Sequence, residues 1–155
     1  MIKFISTSIV ASIILVGGCV SSETIELSNG QTVKSKVAVW GKGKDKYYLT
    51  MSGKDAPPGI RAEDLVWLKA ANLALENGAD RFESRDNGTD LSYSVVGNGA
   101  SPSVRASRSF YAYITLVRDG AIGDGFSRDA LSAKELSEDR IIKRLNDDPS
   151  AYTPE

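Results

Sequence analysis

The chain holds a single cysteine, Cys19, so no intramolecular disulfide can staple its fold and stability has to come from a packed core. That cysteine also closes an apolar N-terminal segment. Lys3 supplies one positive charge, an apolar stretch runs from about Ile9 to Val16, and Leu15-Val16-Gly17-Gly18-Cys19 ends it. The stretch is shorter than the roughly 20 residues of a spanning helix and suits the h-region of a secretory signal. Small side chains at Gly17 and Gly18 fit the confined site of a signal peptidase.

This run resembles the lipobox of bacterial lipoproteins, with Val16 and Gly17 as tolerated variants three and two positions before Cys19. The resemblance covers the first 19 residues. It implies a signal peptide over 1–18, cleavage between Gly18 and Cys19, acylation of the Cys19 thiol and anchoring of the mature N-terminus in the bilayer. Several acyl chains hold a protein on a membrane far more firmly than one. A plain secretory signal with an incidental cysteine, or an uncleaved anchor, are the competing readings. Lipidation is preferred because a free thiol in an oxidising compartment is a liability. In the sorting logic of Gram-negative lipoproteins, Val20 at the second position implies the outer membrane, facing the periplasm.

Removing the signal leaves about 137 of the 155 residues, enough for one domain with a core of its own. The expected layout is a short tether over 19–23, a single domain over 24–145 and a disordered tail over 146–155. Lys and Arg total 19 against 20 Asp and Glu, with neither a basic stripe nor an acidic block, so nucleic acid is not an expected partner. Histidine is absent from the chain. A Ser-His-Asp or Cys-His arrangement therefore has no base, and zinc has no imidazole or free thiolate to bind. Carboxylate chemistry, a Ser-Lys pair or no catalysis remain.

Alternation over Thr24-Ile25-Glu26-Leu27, then Asn29-Gly30, then Thr32-Val33 predicts a hairpin, with the second strand continuing through Val37 and Val39 to Trp40. Gly41-Lys42-Gly43-Lys44-Asp45 should break it as a solvated turn, since its spacing is not that of a phosphate loop. Lys46–Ser52 reads as a strand and the region around Pro57-Pro58 as a loop. The strongest helix spans about 61–77: it lacks Gly and Pro, Glu63 and Asp64 complement its positive end, and Gly78 offers a left-handed cap. Leu65, Leu68, Ala71 and Leu75 should form its apolar stripe. Alternation from Asp80 to Asp86, then Asn87-Gly88, then Leu91–Val96 predicts a second hairpin. Gly97–Ser107 reads as a flexible loop. Ser109–Val117, apolar or aromatic on both faces, reads as a central strand. A shorter C-terminal helix lies within 129–145, with Ser137-Glu138-Asp139 as its start signal. These elements predict an α+β fold, mainly antiparallel sheet, with the principal helix packed on one face.

A second resemblance covers Tyr48–Gly53 and Leu65–Phe82, which look like a block in small proteobacterial envelope lipoproteins. There a strand ending in Ser-Gly leads to an Ala-rich helix and an aromatic-rich strand. Asn72 stands where that family has an acidic residue and Ala79 where it has an aromatic one. The resemblance implies an α+β domain exposed to the periplasm and brings no active site.

Four carboxylates, Asp80, Glu83, Asp86 and Asp90, lie close in sequence as an acid and base pair could, although Asp and Asn also belong to turns for their own backbone chemistry. Asp119–Gly125 has carboxylates for a hard cation but not the alternating ligands of an EF-hand. Neither Ser132-Ala133-Lys134 nor Ser6-Thr7-Ser8 forms a Ser-x-x-Lys nucleophile. Trp67 with Tyr111 or Tyr113 could line a groove, or simply pack. The expectation is a non-enzymatic envelope lipoprotein with no catalytic residue, metal or cofactor. Its expected partners are membrane lipid through acylated Cys19 and another envelope component. The alternative is a small-ligand binder or a carboxylate-dependent hydrolase of the envelope.

Overall fold

A computed structural model describes residues 22–97, 103–118 and 125–148 of the chain. The expected signal peptide over 1–18, Cys19 and the segment 119–124 lie outside the described residues. The fold is α+β, as the sequence predicts. Strands β1 (Glu23–Glu26) and β2 (Thr32–Ser35) form a two-stranded antiparallel sheet, with Glu23 opposite Ser35. Strands β3 (Ala38–Gly43), β4 (Lys46–Ser52), β5 (Arg81–Val96), β6 (Ser103–Val117) and β7 (Phe126–Asp129) form a five-stranded sheet in the order β3-β4-β6-β5-β7, every pair antiparallel.

The first turn forms as expected. Gly30 takes φ 81°, and the Asn29 side chain accepts a hydrogen bond from the Gln31 amide at 3.0 Å. The strand after it, however, is two strands. Lys36 and Val37 interrupt it, because Val33 and Val37 are both buried in the core while β2 and β3 belong to different sheets. Gly41 to Gly43 continue β3 rather than end it, and the turn is made by Lys44 with Asp45 at φ 59°. Asp45 is fixed there by Arg118, whose Nη1 donates to its carboxylate at 2.8 Å and whose guanidinium also donates to the Asn77 carbonyl.

Helix α1 (Ala62–Glu76) lies on one face of the large sheet. Its end is a Schellman motif: the Ala79 amide reaches the Ala74 carbonyl at 2.9 Å, the Gly78 amide reaches Leu75 at 3.0 Å, and Gly78 takes φ 67°. The buried surface of α1 is wider than the predicted stripe. Val66, Trp67, Ala70, Leu73 and Ala74 are buried with Leu65, Leu68 and Ala71, whereas Leu75 is exposed. The sheet alone does not enclose this helix, since α2 packs against it from another side, and a helix covered on several sides is apolar nearly all round.

The second predicted hairpin does not form. Arg81–Val96 is one 16-residue strand with Asn87 and Gly88 in its interior, paired along its length with β6 apart from an irregularity between Ser84 and Asp86. Non-local pairing overrides the local turn preference of Asn-Gly, and the pair closes instead between Val96 and Ser103. Gly88 has a packing reason: a Cβ there would stand 3.3 Å from the Tyr111 hydroxyl and 3.5 Å from its ring. The expected loop up to Ser107 is also shorter, because Ser103–Ser107 belong to β6. β6 is central in the five-stranded sheet. Its Phe110, Ala112, Ile114 and Leu116 face the core.

Helix α2 (Ala130–Asp147) has 18 residues against 15 for α1, so it is the longer helix. It starts at Asp129, whose carboxylate accepts from the Ser132 amide at 2.8 Å, and not at Ser137. Ala130, Ala133, Ser137, Ile141 and Leu145 recur at helical spacing on its buried side. Asn146 and Asp147, placed in the tail by sequence, complete the helix. Among the described residues no helix is long and apolar enough to cross a membrane.

Candidate binding surface on the open sheet face

Strand alternation sorts the large sheet into two faces. Leu49, Met51, Phe82, Phe110, Ala112, Ile114 and Leu116 turn toward the helices. The residues of opposite parity form a second face, and that face is aromatic. Ladder pairing sets Trp40 opposite Tyr48 and Tyr48 opposite Tyr113, with Tyr111 two residues along β6. Ring centroids stand 5.5 Å apart for Trp40 and Tyr48, 4.6 Å for Tyr48 and Tyr113, and 6.3 Å for Tyr48 and Tyr111. These are aromatic contact distances, yet Trp40, Tyr48 and Tyr111 are only partly covered and Tyr113 is 42% exposed. A row of four rings therefore crosses three strands on the side away from α1.

Cations gather at one end of the row. A depression of ≈ 360 Å³ is lined by Lys42, Lys46, Arg85, Tyr113 and Thr115, together with Tyr47 and Ile114. The Lys42 ammonium lies 5.9 Å from the Tyr48 ring centroid, a cation–π distance. Lys42 and Lys46 have no carboxylate partner among the described residues. Carboxylates flank the β5 side of the row, where Asp86 stands opposite Tyr113 and the Tyr111 hydroxyl donates to Asp86 Oδ1 at 3.3 Å. The Asp86 charge, with lesser help from the hydrogen bond itself, raises the Tyr111 phenol above its ordinary value.

The four candidate carboxylates are not grouped around a turn. Glu83, Asp86 and Asp90 follow one another along β5 opposite Thr115, Tyr113 and Ser109. Glu83 is buried, its Cβ only 3.2 Å from where a side chain on Gly125 would begin. Asp86 and Asp90 are exposed but about 13 Å apart along the strand at 3.3 Å per residue. Asp80 is exposed, and its backbone carbonyl accepts from the Ala130 amide. They do not converge as an acid and base pair. Trp67 and the tyrosines also part company. Trp67 is buried on the helix side, 6.2 Å from Phe82 and 5.7 Å from Phe110, with the Arg128 guanidinium 4.3 Å over its ring.

A second concavity, ≈ 570 Å³, lies between the start of α1 and the end of α2. Asp64 forms its floor, 3.6 Å from both Arg140 and Arg144, and its Oδ2 is buried without a hydrogen-bond partner. Burial raises the Asp64 carboxyl above its ordinary value, and the two arginines only partly oppose that. This is an ion-pair joint between helices. Lys134 pairs with Glu138 on α2, so Ser132 and Lys134 form no nucleophile pair. Gly18, Cys19 and Ser6-Thr7-Ser8 lie outside the described residues, as do residues 119–124 of the candidate cation loop. Among the described residues no cluster of three acidic or thiol side chains could hold a metal.

The aromatic row was missed by sequence reasoning because it exists only once β3, β4 and β6 are in register. One signal was present: Tyr48, Tyr111 and Tyr113 sit at the parity opposite to Leu49, Met51, Phe110 and Ala112. No family model, no curated protein and no solved structure matches the chain.

Proposed function

We propose that the chain is a lipid-anchored, non-catalytic binding module of the bacterial cell envelope, whose open sheet face docks an acidic saccharide. The observation that carries the reading is the row Trp40, Tyr48, Tyr113 and Tyr111, partly exposed and ending in a depression lined by Lys42, Lys46 and Arg85. Flat rings offer stacking surface to the C–H faces of sugar rings at low conformational cost. Lysine and arginine side chains supply the charge for a carboxylate or phosphate on the sugar. The location rests on the sequence ending in Gly17-Gly18-Cys19.

Rings and cations together also suit single-stranded nucleic acid, but a chain with net charge −1 lacks the electrostatic funnel that such binding uses. The test of the anchor is intact mass and membrane fractionation beside Cys19→Ala. Acyl mass on a chain beginning at Cys19, lost with the substitution, supports the reading. A soluble, unmodified wild type overturns it.

A further inference from the structure

We infer that two copies of this chain associate through the free edge of β5, pairing antiparallel about Tyr93 so that their sheets become continuous. The starting observation is an arm. β7 covers β5 only from Arg81 to Ser84, and β4 covers β6 only from Ser109 to Thr115. Beyond these, Leu91–Val96 and Ser103–Arg108 pair with each other and, among the described residues, with no further strand, and a two-stranded ribbon is marginal in water by itself. On one face of the ribbon Leu91, Tyr93, Val95 and Val104 are 53, 69, 70 and 67% exposed, with Arg108 opposite Leu91 on that face.

The two edges of the arm differ. The β6 edge carries Arg105 and Arg108, and the turn Gly53–Asp55 closes on it so tightly that a Cβ at Gly53 would stand 3.0 Å from the Arg108 carbonyl. Charge and cover are how proteins block strand edges. The β5 edge from Leu91 to Val95 carries no charged side chain and, among the described residues, no strand pairs with it. Its sequence is self-complementary. With a two-fold axis at Tyr93, Leu91 faces Val95, Ser92 faces Ser94 and Tyr93 faces its own mate, so apolar meets apolar on one side of the sheet and hydroxyl meets hydroxyl on the other. Such matching is what an isologous interface requires, and opposed aromatic and β-branched side chains are the favourable cross-strand pairs. Like charges meet nowhere in this register.

The contact is modest. Two five-residue strands with their flanking side chains bury on the order of 800 Å² in total, the size of a weak and reversible interface. A two-fold axis perpendicular to the sheet keeps both aromatic faces on the same side. This inference stands apart from the saccharide reading, because it uses none of the residues of the aromatic row.

The test is disulfide capture in the full chain carrying Cys19→Ala, held in mild detergent, so that an introduced thiol is the only one. Tyr93→Cys should give a covalent dimer at least about tenfold faster than Ser94→Cys, whose mate is displaced by two residues. Leu91→Cys mixed with Val95→Cys should cross-link where neither does alone. Sedimentation of the parent protein up to about 300 µM should show a reversible dimer, lost in Val95→Lys, which touches no core side chain. Equal capture rates at positions 93 and 94, a monomer at every concentration, or a dimer that survives Val95→Lys overturns the inference.

Discussion

The contact between Arg128 and Trp67 is the point where β7 is fastened to α1, and it can be measured by a double-mutant cycle of Trp67→Leu and Arg128→Met. The guanidinium stands 4.3 Å from the ring centroid on the half-buried helix side of the sheet, a geometry worth about 1–2 kcal/mol. Trp67 is 4% exposed and touches Phe82 and Phe110, so its loss adds a packing cost. Together these put Trp67→Leu at about 3–4 kcal/mol, or roughly 10 °C in Tm. Arg128→Met behaves differently. Arg128 Nε is buried without a hydrogen-bond partner, and burial is the main reason its pKa falls below the usual arginine value. Methionine keeps the stem and relieves that desolvation, so the single change should stay within about 1 kcal/mol of wild type. The coupling from urea denaturation followed by circular dichroism should be about 1–2 kcal/mol. Coupling below about 0.3 kcal/mol, with the two changes simply adding, would refute the argument.

Three further outcomes follow from titratable groups. Asp129→Ala removes the cap of α2 and should cost about 1 kcal/mol at neutral pH. The hydrogen bonds from Ser132 hold the Asp129 carboxyl below its ordinary 3.8, so its contribution is present above that value and fades as pH falls through the lower folded one, a dependence that urea midpoints on the acid side should lose in Asp129→Ala. Asp64 has the opposite sign. Its folded pKa is raised above 3.8, so the folded state holds the proton more tightly and stability declines as pH rises from 3.8 through the folded value. Asp64→Asn should abolish that decline and leave the protein at least as stable at neutral pH, because Arg140 and Arg144 reach solvent and are not left buried. A strong destabilisation by Asn would show that the ion pairs outweigh the burial. Spectrophotometric titration should find one tyrosine above the ordinary 10.0, returning toward it in Asp86→Asn.

The parts of this fold readable from sequence were those governed by local chemistry. Asn29-Gly30, the Gly78 cap and the two-sided apolar pattern of β6 each act within a few residues, and each appears where expected. Asn87-Gly88 carried an equally local turn signal, but its partner strand lies more than twenty residues away and wins through continuous pairing. The buried surface of α1 is wider than its sequence stripe because the sheet covers Trp67 through Phe82 and Phe110 while α2 packs on the helix as well, and no window of the helix sequence encodes either neighbour. The aromatic face was hidden for the same reason. Trp40, Tyr48, Tyr111 and Tyr113 span more than seventy positions and meet only through the register of β3, β4 and β6.

The proposal that the open sheet face binds an acidic saccharide is tested most directly by the fluorescence of Trp40. The chain has two tryptophans, so Trp67→Phe leaves Trp40, at the edge of the aromatic row, as the sole reporter. Titration of that variant with an acidic polysaccharide should shift its emission saturably, weaken with added salt, and be lost in Tyr48→Ala or with Lys42→Ala and Lys46→Ala together. No shift with acidic saccharides, or an equal response to single-stranded nucleic acid, contradicts the account.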